Sequence, residues 1–255
     1  MRIIICGKGG SGKSTLTALL ALEYAAQGRR VLVVDTDESN TGLHRLLGIP
    51  APETLMDYLG GKGAVMEKMR AAAPNYAAVR LVEEGWSIDE FPEGYIASGN
   101  GIRLAAIGKI HDAGEGCACP MGMLAKQTLS KLRLETEDIV LIDTDAGIEH
   151  FGRGVEEGSD AVLMVLDPSY ESLRLAEHVK RMAGTLNLPL FYVLNRTDAV
   201  TGEQMRRSLP DPDRIIGELP QDTAILMAGL EGKNLSPGHP AIAEIAERLA
   251  EDRAL

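Results

Sequence analysis

The chain has 255 residues, long enough to bury an α/β core, and its 45% hydrophobic and 25% charged residues are ordinary globular values. Its 37 acidic against 26 basic side chains leave a formal net charge of -11, which argues against nucleic acid or an anionic membrane as the main partner. No apolar run approaches the ~18 residues of a membrane span, Met1 leads into a strand with no cationic leader, and three cysteines make no disulfide framework, so a cytoplasmic protein is expected. The elements that follow read as one domain over 1–255.

Ile3, Ile4, Ile5 and Cys6 form the first strand-like run, and 15–27 reads as a helix. Between them stand Gly7, Lys8, Gly9, Gly10, Ser11, Gly12, Lys13, Ser14 and Thr15, the full G-x-x-x-x-G-K-[ST] string in its strand-to-helix setting. Gly9, Gly10 and Gly12 open backbone conformations closed to other residues, so successive N–H groups can surround a phosphate. The helix turns its positive end to the same anion. Lys13 is expected to reach the β- and γ-phosphates of a nucleotide, and the Ser14 hydroxyl to ligate Mg²⁺. Cys6, under this loop, reads as a small apolar filler.

The run 30–35 is continuously apolar and ends in Asp35, the pattern of a buried parallel strand whose carboxyl end faces ligand. Asp37 lies just beyond, placed either to hold an attacking water in line with the γ-phosphate or to cap the turn at 40–47. Helices are expected at 52–59 and 64–73, and the acid- and glycine-rich stretch 83–101 reads as a surface elaboration. A strand is expected at 103–108. Next come Cys117 and Cys119 in a glycine-rich loop before a helix at 122–132. Two thiolates at i and i+2 are soft metal ligands, but one such pair is half of a four-sulfur site; a two-fold dimer supplies the other half. The alternative is a pair of incidental cysteines at a helix start.

The run 139–143 repeats the apolar strand ending in an acid, and Asp143 is expected to hold Mg²⁺. Gly147 follows on a segment whose N–H groups could sense the γ-phosphate; Asp145 is an acid of unassigned role, and His150 reads as structural. Strands at 161–166, 189–194 and 214–219 alternate with helices at 170–186, 202–209, 223–230 and 241–255, implying an α/β fold with a mostly parallel twisted sheet and helices on both faces. Asn195, Arg196 and Asp198 follow a strand and are expected to cup the base, with Pro220 and Asp222 closing from the other side; the quartet 195–198 alone does not separate adenine from guanine.

Lys8, at the start of the loop, makes the string resemble the deviant Walker A motif of the MinD/ParA/nitrogenase-iron-protein class of P-loop NTPases (the SIMIBI group). The resemblance implies a trans role for Lys8, reaching the nucleotide of a partner subunit, against the local reading of a solvated loop lysine. Together with Asp35/Asp37, the Asp143-x-x-Ala-Gly-Ile-Glu-His150 segment and the C-x-C, it resembles CooC-type nickel-insertion ATPases, which mature the Ni–Fe–S centre of carbon monoxide dehydrogenase. That resemblance implies an ATP-hydrolysing homodimer holding one Ni²⁺ or Zn²⁺ between paired Cys117/Cys119 loops, with a client metalloenzyme as partner. Lys8, Lys13, Asp37 and Asp143 are its expected catalytic groups. A positioning ATPase of the MinD/ParA kind without a metal, or an iron–sulfur ATP-dependent reductase, remain the alternatives.

Overall fold

The computed structural model describes residues 1–110 and 119–251. Among these, eight strands form one sheet in the order β3-β4-β2-β5-β1-β6-β7-β8. They are β1 (Arg2–Gly7), β2 (Arg30–Asp35), β3 (Ala97–Gly99), β4 (Ile102–Ala106), β5 (Asp138–Asp143), β6 (Ala161–Leu166), β7 (Leu190–Thr197) and β8 (Ile215–Pro220). All neighbouring pairs are parallel except β3 with β4.

The central strands are apolar through their middles because both faces are covered. Ile4, Cys6, Leu32, Val34, Val140 and Ile142 pack into one core layer, and their alternates Ile3, Ile5, Val31, Val33, Ile139 and Leu141 into the other. The second layer is closed by α1 (Lys13–Ala26), α2 (Leu43–Leu47) and α10 (Pro240–Glu251), through Leu16, Leu20, Leu43, Leu47, Ile242 and Ile245. The first lies under α3 (Leu55–Tyr58), α4 (Gly61–Ala72), α5 (Cys119–Lys131) and α7 (Tyr170–Thr185), with Leu55, Val65, Leu124 and Val179 pointing inward. Three shorter helices complete the chain: α6 (Glu149–Arg153), α8 (Ala199–Ser208) and α9 (Thr223–Glu231).

Three differences from the sequence expectations bear on function. Helix α5 begins at Cys119, earlier than expected. Pro120 has no N–H to leave unsatisfied, so it suits the first turn, and its buried ring and Met121 anchor the helix there. The strand expected at 103–108 ends at Ala106, and 107–110 continues as an irregular run beside the end of β2. The stretch 83–101 is not a solvated elaboration: Ile88 and Phe91 are buried, Trp86 packs against the core, and β3 adds an antiparallel edge. Its apolar residues are too sparse to show a period, so the sequence reads as loop.

Candidate functional site

The carboxyl ends of β1, β2, β5, β6 and β7 meet at one rim, and the phosphate-loop string occupies it. At Gly7 an added Cβ would lie 2.4 Å from the Val165 carbonyl oxygen, and at Gly12, with φ +102°, it would lie 2.2 Å from Asn195 Nδ2. Those two glycines are demanded by close approach as well as by conformation. The loop turns back on itself through the Ser11 N–H, which donates to the Lys8 carbonyl at 3.1 Å. Lys13 opens α1 and is almost fully buried.

Ser14 Oγ donates to Asp143 Oδ2 at 2.6 Å, and Thr17 Oγ1 to Asp143 Oδ1 at 3.2 Å. The Asn40 side-chain amide donates to Ser14 Oγ at 2.8 Å while its carbonyl oxygen accepts from the Gly42 N–H. Burial pushes the Asp143 carboxyl up to about 6, against hydrogen bonds from Ser14 and the charge of Lys13. This all-oxygen set suits a hard divalent cation shared with phosphate oxygens, so Ser14 and Asp143 fit Mg²⁺. Among the described residues no three His, Cys, Asp or Glu side chains gather as a metal cage. A cation that keeps water and phosphate ligands needs none.

Strand β2 ends in two buried acids. The Asp35 carboxylate receives Lys109 Nζ at 2.6 Å, and the same Nζ donates to the Asp37 carbonyl at 2.6 Å. Burial pushes Asp35 up to about 7 even though Lys109 pulls it down. Asp37 Oδ1 accepts from the Ser39 N–H and Oγ; α2 is instead preceded by Gly42, with no side-chain cap, so Asp37 does not cap it. The run 107–110 is laced to the end of β2 and the segment after it: Ile107 N–H donates to the Asp35 carbonyl and Ile110 N–H to the Glu38 carbonyl.

On the other side, the Gly147 N–H donates to the Gly7 carbonyl at 3.2 Å. Asp145 is turned to Arg153, whose Nη1 lies 3.1 Å from Asp145 Oδ2 and 3.6 Å from Glu38 Oε2. His150 is 1% exposed, and neither of its ring nitrogens has a hydrogen-bond partner among the described residues. Burial, then the charges of Lys13 and Arg153, hold it down to about 3, so it is neutral. Lys8 is tethered within its own protomer, 2.8 Å from Asp167 Oδ2 and 3.0 Å from Ser169 Oγ. Burial opposes ionisation of Asp167, but hydrogen bonds from Lys8, Ser172 and Ser169 hold its carboxyl below the ordinary range.

Beside the loop lies a cavity of about 500 Å³ whose lining includes Thr15, Asn195, Arg196, Pro220 and Asp222. Asn195 Nδ2 donates to the Ser11 carbonyl at 2.7 Å, and Arg196 Nη1 to the Gly10 carbonyl at 3.0 Å, so both side chains strap the phosphate loop. Asp198 and Asp222 accept from the first N–H groups of α8 and α9. The Asp198 carboxylate is taken up by the Val200 and Thr201 N–H groups at the start of α8. Cys117 lies outside the described residues; Cys119 is exposed at the start of α5 and, against the expectation of free thiols, is disulfide-bonded, so thiolate ligation of a metal requires the reduced form.

Asn40, Thr17, Lys109, Arg153 and Asp167 were not marked by the sequence. Thr17 carries a local signal, one helical turn after Lys13 and so on the same face. Asn40, Lys109, Arg153 and Asp167 meet Ser14, Asp35, Glu38 and Lys8 through the sheet order.

Residues 3–235 match the family model described as the CobQ/CobB/MinD/ParA nucleotide binding domain. The chain belongs to this family. It is an ATPase of that family, as the fold and loop imply. It is 43% identical over 249 residues to an ATP-binding protein of Methanocaldococcus jannaschii, covering 98% of this chain and 99% of the relative. It is 30% identical over 258 residues to the carbon monoxide dehydrogenase accessory protein CooC of Rhodospirillum rubrum, covering 98% and 97%. Among solved structures, the septum site-determining protein MinD of Pyrococcus horikoshii, complexed with Mg-ADP, superposes with a TM-score of 0.68 at 20% identity over 99% of this chain and 96% of that one. At that identity the likeness shows the fold. Among the described residues no helix is long and apolar enough to cross a membrane.

Proposed function

We propose that this family ATPase is a nucleotide-dependent dimeric metallochaperone: it holds one Ni²⁺ or Zn²⁺ between the Cys117/Cys119 pairs of two protomers and releases it to a client metalloenzyme. Nickel insertion into carbon monoxide dehydrogenase is the best-supported task, on the C-x-C and the CooC relative. The observation that carries the reading is the lacing of 107–110, the segment leading into the C-x-C, onto 35–38 through Ile107, Lys109 and Ile110. In this reading a shift of 35–38 is passed to 107–110 through these bonds.

In this reading the cavity beside Asn195, Arg196, Pro220 and Asp222 takes adenine, and Gly7 to Thr15 cradle the phosphates. Lys13 holds the β- and γ-phosphates. Mg²⁺, when bound by Ser14 and Asp143, supplies neutralisation of phosphate charge. Asp37 orients the attacking water. The Gly147 N–H leaves the Gly7 carbonyl to meet the γ-phosphate, and Lys8 leaves Asp167 and Ser169 to reach the partner's nucleotide. Two protomers closed in this way bring four thiolates together, a set that soft or borderline cations favour.

The test is mass and metal content in solution. With a non-hydrolysable ATP analogue the reduced protein is expected as a dimer holding one metal ion per two chains, and the Cys117→Ser/Cys119→Ser double variant as a dimer without it. A monomer in the presence of the analogue, or full metal retention by the double variant, overturns the reading.

A further inference from the structure

Asp145 is mostly buried beside the phosphate loop and carries no role in the hydrolysis described above. Its Oδ2 lies 3.1 Å from Arg153 Nη1, and the same nitrogen lies 3.6 Å from Glu38 Oε2, an oxygen that is buried and has no hydrogen-bond partner among the described residues. One guanidinium therefore stands between an acid from the segment after β5 and an acid from the segment after β2. It is committed to the first and loose to the second. A rigid, permanently charged fork placed in this way has two discrete partners to choose between.

The stem of the same side chain is in contact with a third element. A Cβ added at Gly122 would lie 2.7 Å from Arg153 Cδ and 3.1 Å from its Cβ and Cγ. Gly122 is in the first turn of α5, the helix that starts at Cys119. Glycine here lets the helix backbone lie directly on the arginine stem, so the stem cannot swing without moving the helix or meeting it. Glu38 is itself bound through its carbonyl to the Ile110 N–H, on the segment that enters the C-x-C from the other side.

We propose that Arg153 is a positioning residue that carries the state of both nucleotide switches to the helix bearing Cys119, by exchanging its hold between Asp145 and Glu38. This deepens the reading of Cys117 and Cys119 as a nucleotide-controlled pair and rests on it. When the segment at 145–147 or the segment at 35–38 shifts, the guanidinium is redistributed between the two carboxylates. Packed interfaces respond to such a shift by switching between arrangements, not by continuous deformation. Helix α5 is then held through Gly122 against the Arg153 stem, and Glu38 through the Ile110 N–H.

The test follows thiol alkylation of the full-length, reduced protein by iodoacetamide, with and without Mg²⁺ and a non-hydrolysable ATP analogue. Cys6 is fully buried and its thiol is pushed up to about 12, so the signal comes from Cys117 and Cys119. The wild type is expected to show at least about a tenfold difference in rate between the two conditions. Arg153→Met keeps a stem and removes the charge, and Glu38→Gln removes one partner. Each is expected to bind a fluorescent ADP analogue within threefold of wild type, which also shows that it is folded, while its two alkylation rates converge to within about twofold. If the wild type shows the difference and both variants keep it, the relay is wrong and the functional reading stands. If the wild type shows none, the functional reading fails and the relay with it. If Arg153→Met loses nucleotide affinity, Arg153 belongs to the nucleotide site and is no relay.

Discussion

The two halves of the rim are built on different principles. The half made of β1, the phosphate loop and α1 is fixed by backbone: Gly7 and Gly12 admit no side chain, and Asn195 and Arg196 strap loop carbonyls from outside. The half made of 35–40, 107–110 and 145–153 is held by charges in poorly exposed places: Lys109 on Asp35, Arg153 between Asp145 and Glu38, and a buried neutral His150. A backbone cradle has one arrangement, whereas a set of carboxylates sharing cations has several of similar energy. The two halves are thus distinguished by what holds them.

The comparison can be broken most directly at the cradle. Lys13→Ala is expected to lower ATP turnover by at least about 100-fold, since a charge aimed at developing phosphate charge is lost; steady-state phosphate release measures it. Turnover within threefold of wild type would remove Lys13 from the site.

On the charged side, Lys109→Met leaves Asp35 buried without its cation, at a cost of about 3 kcal/mol near pH 8. Asp35 already titrates near 7 because of burial, and losing Lys109 raises it further. A carboxyl raised above its unfolded value stabilises the fold when protonated and loses that contribution as pH rises. The deficit should therefore shrink as pH falls from 8 to 6, as urea titrations at several pH values will show. An equal deficit at both ends would mean that the ion pair is not what holds the switch.

Gly12→Ala tests the backbone half for stability. With φ at +102° and Asn195 Nδ2 2.2 Å from the new Cβ, it should cost about 2 kcal/mol and weaken nucleotide binding. The same change at Gly10, where nothing lies within 4 Å of an added Cβ, should cost less. The smallest effect is expected at His150→Leu. In the fold His150 is held down to about 3 by burial, against 6.5 for an unperturbed ring, so the unfolded chain takes up a proton first as pH falls. Near pH 6, where the smallest effect applies, wild type should lose less than about 1 kcal/mol relative to the variant, and the loss grows by up to about 1.4 kcal/mol per pH unit on further acidification. Asp35 and Asp143 titrate in both proteins, so the difference isolates His150.

What could be read from the sequence follows the same division. The parallel sheet was legible because strands buried on both faces carry unbroken apolar runs, as in 139–142, and the phosphate loop because its meaning is contained in nine consecutive residues. The helix at Cys119 was read late because glycines upstream hid a start that Pro120 favours. Lys109 and Lys8 meet partners 74 and 161 positions away, so their roles depend on β4 lying beside β2 and β6 beside β1, an order the sequence does not spell out. Arg153 shows the same limit: it carries an ordinary helical signature, and only the fold sets it against Asp145, Glu38 and Gly122 together.

The proposed function requires that nucleotide occupancy control metal affinity at Cys117 and Cys119. It is tested by competition titration of the reduced protein with Zn²⁺ and Ni²⁺ against a chromophoric chelator, with and without a non-hydrolysable ATP analogue. The account predicts affinity at least about tenfold higher with the analogue, a difference abolished in the Cys117→Ser/Cys119→Ser variant. Equal affinity in the two conditions would contradict it.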